Sequence, residues 1–341
     1  MVKPAVFGSI LSCLVVVSFS TSSLSCKSKS NETRRQVVLY CSVDQAVSEP
    51  VIAEFQKQTG IKVLARYDTE AGKTVGLIQR LRAEKDSPSA DVFWSNEIFY
   101  TIRLGREGLL TTSRSGAQWP SHLTGRQGQW YGFALRARVI GYSTQRVPAA
   151  DAPKSLEDLL DKKWKGRIVM ADPRFGTTGG DVAGWFAHYG ADRAAEILGA
   201  LKANKVRLVP GNSIAVRMVA TGQADVCMTD TDDVYAAQRN GWPVAMNWLD
   251  QGGAGVLTIP NTVAIIKGCP NPDEAEALLK FLLSEQVERM LARSDSHNTP
   301  VHPSVAAEFN RYAIPKPLEI DYEKVADELP TAVRRAWEAF R

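Results

Sequence analysis

From Val37 onward the chain alternates short, apolar, β-prone runs with stretches of helical period, and it does so in two sets. The first set opens on Val37-Val38-Leu39-Tyr40-Cys41, is broken by Ser42-Val43-Asp44-Gln45, and continues as a helix over 47–59 with Val51, Ile52 and Phe55 on one face. Gly60 ends that helix; 61–67 reads as a strand, 72–85 as an amphipathic helix and 91–94 as a third strand. The second set reads as a strand over 165–172, helices over 180–190 and 192–203, and a strand over 206–209. A helix over 213–222, a strand over 225–228 and a helix over 232–240 complete it. Short apolar strands alternating with amphipathic helices predict an α/β fold, a largely parallel sheet covered by helices.

Two sets need connections. Residues 130–142 form a long β-like run with only Gly132 and Gly141 as turn formers, and 255–266 form a second, followed by a helix over 272–293. Two such runs predict a passage from one lobe to another and back. The expected organisation is lobe one from 37–135 and 262–341, with C-terminal helices, and lobe two from 136–261, with hinge strands between them. Ligands of open α/β sheets bind beyond the carboxyl ends of the strands, so the loops after each strand matter most.

The N-terminus sets the compartment. Lys3, an apolar run over 5–19 and the small residues Ser20-Thr21-Ser22-Ser23-Leu24-Ser25 before Cys26 have the layout of a secretory signal over 1–26. The run is shorter than the roughly 20 residues that a membrane span needs. Cys26 after small residues predicts lipidation, hence a lipid-anchored protein of the periplasm or cell surface, with an ordinary cleaved signal or an uncleaved anchor as the other readings. Residues 27–36 (KSKSNETRRQ) carry no large apolar side chain and read as a tether. At 44% hydrophobic and 23% charged, the remainder can bury a sizeable core. A formal charge of +4 with scattered Lys and Arg predicts no nucleic-acid partner. Cys41, Cys227 and Cys269 are too far apart for a zinc spacing, and the first two lie in apolar runs as buried thiols do.

Several strand-end loops, taken in order, resemble the ferric-binding family of periplasmic solute-binding proteins. The matching segments are LYCSVDQ (39–45), ADVFWSNE (90–97), ALRARVIGY (134–142), DPRFGTTGG (172–180), GNS (211–213), GQADVCMTD (222–230) and NTVAIIKGCPNPDEAEALLKFLLSEQVE (261–288). The resemblance implies the two-lobed periplasmic-binding-protein fold, closing on its ligand, with an ABC permease and its ATPase as partners and a monomeric receptor. It further implies Fe³⁺ held with a synergistic anion. The iron ligands of the family match poorly, however. Asp44 stands where relatives carry a histidine, Asn96 and Glu97 occupy the loop of a glutamate, and Thr229-Asp230-Thr231-Asp232-Asp233-Val234-Tyr235 replaces a tyrosine pair.

Fe³⁺ prefers anionic oxygen, which carboxylates supply as phenolates do. Asp44, Glu97, Asp232, Asp233 and Tyr235 are therefore the candidate metal ligands. The same acidic set suits an organic cation such as a polyamine or a thiamine-like molecule. Alternatively, Asp230 or Thr231 simply caps the helix, with Asp232 and Asp233 favoured by its dipole. Since adjacent helical residues point about 100° apart, only one of those two aspartates is expected at a ligand. Gly176-Thr177-Thr178-Gly179-Gly180 before a helix reads as an anion cradle or as a tight turn with a threonine cap. Ser213 opens a helix in a similar way, with capping the favoured reading, and Arg136 in the crossover suits either bidentate binding of an anion, phosphonate-like solutes included, or a structural ion pair. An enzyme is the competing class, since Asp230-Thr231-Asp232 after a strand has the carboxylate spacing of metal-dependent phosphoryl transfer. Against it, His122, His188, His297 and His302 lie away from the strand-end loops, and no nucleophile elbow is present. The expectation is a binding protein, not an enzyme.

Overall fold

The structure is a computed structural model that describes Met1, Gly8 and residues 35–68, 74–116 and 118–341. The signal over 1–26 with its Cys26, nearly all of the tether, and the start of the helix expected at 72 lie outside the described residues. Arg34–Arg341 fold as one unit. The chain begins β1 (Gln36–Cys41), α1 (Gln45–Thr59), β2 (Lys62–Tyr67), α2 (Val75–Ala83), β3 (Val92–Ser95), α3 (Phe99–Arg106) and β4 (Leu110–Thr111). A long strand, β5 (Trp130–Ser143), leads through α4 (Leu156–Leu159) to β6 (Ile168–Ala171), α5 (Gly176–Tyr189), α6 (Ala191–Ala203) and β7 (Arg207–Val209). Next come α7 (Asn212–Ala220), β8 (Val226–Asp230), α8 (Thr231–Arg239), β9 (Val244–Trp248) and β10 (Thr258–Ile266). Four helices close the chain: α9 (Pro272–Leu282), α10 (Glu285–Arg293), α11 (Pro303–Glu308) and α12 (Tyr322–Phe340).

The strands run in the order β2-β1-β3-β10-β5-β8-β6-β7, with β4 beside β10 and β9 beside β5. β1 lies parallel to β2 and β3, and β6 lies parallel to β7 and β8, while β10 and β5 run antiparallel to their neighbours. β5 joins the two groups: its stretch up to Ala137 pairs with β10, and from Arg138 it pairs with β8 and β9. That switch of partner within one strand explains why its sequence stays β-prone without a break. All of β5 is buried except the half-buried Leu135.

Within the β5–β10 ladder, before β5 changes partner, the pairing is irregular. The register slips between Pro260 and Asn261, and Ala134 opposite takes φ of +46°, a conformation costly for a residue with a Cβ. Two side chains offset that cost. Asn261 Nδ2 donates to the Ala134 carbonyl at 2.5 Å, and the buried Glu288 carboxylate accepts from Ala134 N at 3.3 Å and from Val301 N at 2.8 Å.

Two element boundaries differ from the sequence expectation for local reasons. The helix expected over 272–293 is two helices, because Ser284 accepts a capping hydrogen bond from Val287 N at 3.3 Å and restarts the chain as α10. The glycine-threonine run 176–180 is the first turn of α5 and not a loop ahead of it. The amphipathic C-terminal helix α12 lies against α5, α3 and α6, burying Val325, Ala326, Leu329 and Ala332. No helix among the described residues is long and apolar enough to cross a membrane.

Candidate functional site

β1, β3, β6, β7 and β8 all deliver their carboxyl ends to one cavity. It is lined by Val43 and Asp44 after β1, Asn96 after β3, Phe175 to Thr178 after β6, Gly211 and Asn212 after β7, and Asp230, Asp232 and Asp233 at β8 and α8. Arg136 of β5 and Asn261 of β10 form its floor, with Ser296 and Asn298 at one side. Its volume of about 50 Å³ suits a few waters, an ion with a small partner, or one compact head group. Four helices, α1, α5, α7 and α8, begin at this cavity, and none has a side chain capping its first turn. Their N-terminal dipoles make the surroundings favourable to an anion.

Two arginines of β5 divide the acidic groups by role. Arg138 Nη1 donates to Asp230 Oδ1 at 2.7 Å and its Nε to Asp181 Oδ2 at 3.0 Å, and all three side chains are buried. Thr177 Oγ1 at 2.6 Å and Asn212 Nδ2 at 3.0 Å also donate to Asp230 Oδ2. Burial raises the pKa of Asp230, but Arg138, Arg136 and the Thr177 hydroxyl outweigh it and hold the carboxyl below its ordinary value. Asp230 is thus a structural anion. Asp181 goes the other way, since burial outweighs Arg138 and raises its pKa.

Arg136 faces the cavity itself. Its Nη1 donates to Asp232 Oδ2 at 3.2 Å, its Nη2 donates to the Asn96 carbonyl, and its Nε has no partner. Asp232 keeps Oδ1 without a partner, and burial raises its pKa against the pull of Arg136. Asp233 accepts from Thr229 Oγ1 at 3.1 Å. Both Asp232 and Asp233 line the cavity, whereas only one was expected to. The reason is their place in the first turn of α8, where the helix end itself faces the cavity and neighbouring positions fan around it. Oxygens of Asp230, Asp232 and Asp233 lie within 4.8 Å of one another.

Of the residues singled out by sequence, Asp44, Asn96, Arg136, Thr177, Thr178, Asp232 and Asp233 line the cavity. Ser213 lies one step outward, in a groove continuous with it. Three expectations are corrected. Glu97 is no cavity ligand: its buried carboxylate accepts from Phe99 N at 2.7 Å and Tyr100 N at 3.1 Å, capping α3. Burial pushes its pKa up to about 7 despite those bonds. Gly179 faces away, its Cα against the Pro173 carbonyl, where an added Cβ would stand at 2.6 Å. Tyr235 also lies outside the cavity lining, packed edge-on against the rings of His297 and Tyr312, with its pKa pushed up to about 12 by burial and by Tyr312. Asn261, Ser296 and Asn298 went unpredicted, because a lone polar residue in a hinge strand or loop carries no pattern.

This layout of a cavity at strand carboxyl ends, flanked by two sheet groups sharing β5, agrees with the sequence comparisons. Residues 51–316 match the family described as bacterial extracellular solute-binding protein. The chain belongs to this family. Iron uptake protein A1 of Synechocystis sp. is 26% identical over 291 residues, 80% of this chain and 79% of the relative. A putative 2-aminoethylphosphonate-binding periplasmic protein of Salmonella paratyphi A is 27% identical over 262 residues, 76% of this chain and 75% of the relative. Among solved structures, iron-bound HitA from Pseudomonas aeruginosa superposes with a TM-score of 0.77 at 25% identity, covering 89% of this chain and 99% of that one. As an extracellular solute-binding protein, the chain has the two-lobed α/β fold of these receptors, and its cavity is the place to seek the solute.

Proposed function

We propose that this solute-binding protein is the receptor of an ABC importer and captures ferric iron together with a small anion. The observation that carries the reading is the pairing of opposite preferences within one cavity. Asp232 and Asp233, with Asp44 across from them, supply hard anionic oxygens, while the uncapped starts of α5 and α7, Thr177, Thr178 and Arg136 suit an oxyanion. The names of two relatives, one an iron uptake protein and one solved with iron, support the metal. In this reading lobe one is 37–135 with 262–341 and lobe two is 136–261, hinged at β5 and β10. Ligand touching Asp44 and Asn298 on one side and Thr177 and Asp232 on the other favours the closed state by its contacts to both. The receptor is monomeric, held to the membrane through a lipid on Cys26, and releases its solute unchanged to a permease and ATPase. None of its histidines lines the cavity to serve a reaction.

A second reading has its own observation. The Arg136 guanidinium already stands 3.2 Å from Asp232, and no tyrosine lines the cavity. That arrangement suits an organic solute carrying both charges, as an aminophosphonate does, and one relative bears such a name. Native mass spectrometry with metal analysis of protein purified without chelator separates the two. Stoichiometric iron with a co-bound anion is the expected result; a metal-free organic mass overturns it in favour of the second reading.

A further inference from the structure

The cavity continues past Asp232 and Asp233 into a groove of about 270 Å³. The two share Asp44, Val47, Asp232, Asp233 and Ser296, so the groove adjoins the inner cavity along these residues. The chemistry changes along the way. Much of the groove wall is apolar: Ala46 and Val47 of α1, Val216 of α7, Ala236 and Ala237 of α8, and Trp242 beyond them. Trp242 is one of the few large apolar side chains exposed among the described residues, at 36%. The inner end carries the buried Arg136, 6% exposed, whose Nε lacks a partner.

A hydrated inorganic ion gains nothing from an apolar wall, and an exposed apolar channel costs a secreted receptor solubility. We infer that the solute carries an apolar organic portion, with its charged head in the inner cavity and its hydrocarbon part along the groove toward Trp242. Combined with the ferric reading on which it rests, this makes the solute an iron chelate with an apolar substituent and not iron with a bare inorganic anion. Each methylene fully buried against such a wall strengthens binding about fourfold, so the effect is large enough to measure even when burial is partial.

The test uses the full chain and two ferric chelates with the same head, N-methyliminodiacetate and N-hexyliminodiacetate, titrated by calorimetry. The hexyl chelate is expected to bind at least about tenfold tighter. In Ala236→Phe, whose ring fills the groove, the ratio of the two affinities should fall to about one. Trp242→Ala, at an exposed position, should lower the ratio as well. Equal affinities in the unaltered protein, or a ratio that survives both substitutions, overturn the inference while leaving the ferric reading in place. If neither chelate binds, the inference falls, and the ferric reading is decided separately by metal analysis of protein purified without chelator.

Discussion

Arg138 Nη1 lies 2.7 Å from Asp230 Oδ1, with both side chains about 1% exposed, at the wall of the cavity that Asp230 helps line. The pair joins β5 to the end of β8 and sets Thr177 and Asn212 in place through the second Asp230 oxygen. A buried pair of this kind is costly to break from one side, because the remaining charge stays in a poorly solvating site.

Arg138→Ala or Asp230→Ala should therefore lower unfolding stability by about 3–5 kcal/mol. Asp232→Asn, at a position on the cavity wall, should cost no more than about 1 kcal/mol of stability yet weaken ferric binding at least about tenfold. Urea denaturation beside calorimetric titration of the three variants checks the contrast. A comparable loss of stability in Asp232→Asn would place that residue with the scaffold.

Arg136 neutralises the aspartates that it touches. Replacing it with Gln should strengthen the affinity for a trivalent cation offered without a coordinating anion, and remove the dependence of metal binding on added anion. Terbium luminescence, titrated with and without carbonate, measures both effects. Unchanged anion dependence in Arg136→Gln would assign the anion to the helix starts alone.

Glu97 gives a pH signature. Burial raises its carboxyl pKa from 4.5 to about 7 in the folded protein, so between those values the folded state holds a proton that the unfolded state has lost. This contribution to stability is fully present below pH 4.5 and disappears as pH rises through about 7. Glu97→Gln should flatten the decline in stability between pH 5 and pH 8 by on the order of 1–3 kcal/mol. Parallel urea titrations at the two pH values test it, and an equal decline in both proteins would contradict the assignment.

Gly179 and Gly180 open α5 against other elements. A Cβ at Gly179 would stand 2.6 Å from the Pro173 carbonyl, and one at Gly180 would stand 2.1 Å from the Phe99 ring. Gly179→Ala and Gly180→Ala should each destabilise by about 1–3 kcal/mol, whereas ferric affinity in the folded fraction should stay within about threefold. Thermal unfolding followed by titration below the transition checks both expectations.

The alternation of strand and helix, the two long connecting strands and the strand-end loops that line the cavity were all legible, because each rests on a repeating pattern. The first turn of α8 was legible in composition, as Asp232 and Asp233 after an apolar strand. The role of Asp230 was not, since an aspartate that caps, one that pairs inside the core and one that faces ligand are written with the same letter. Only the partner decides, and Arg138 lies 92 positions away in sequence. Glu97 misled for the same reason: its use as a cap depends on how the chain turns into α3. Tyr235 sits in helical register with the aspartates, but the ring follows a pocket made by His297 and Tyr312, which no local pattern announces.

The place of β10 in the sheet has a consequence for the order of events when the protein is made. Val92 of β3 finds its partner Ile265 only after every strand of the other group has been synthesised. Until β10 emerges, β3 and the first part of β5 lack the strand that joins them, and the N-terminal core is left with an open edge. Contacts so distant along the chain form slowly. A polypeptide that threads through a membrane must remain extended until it has crossed, and a sheet that closes only on its last strand, β10, keeps the chain open for that long.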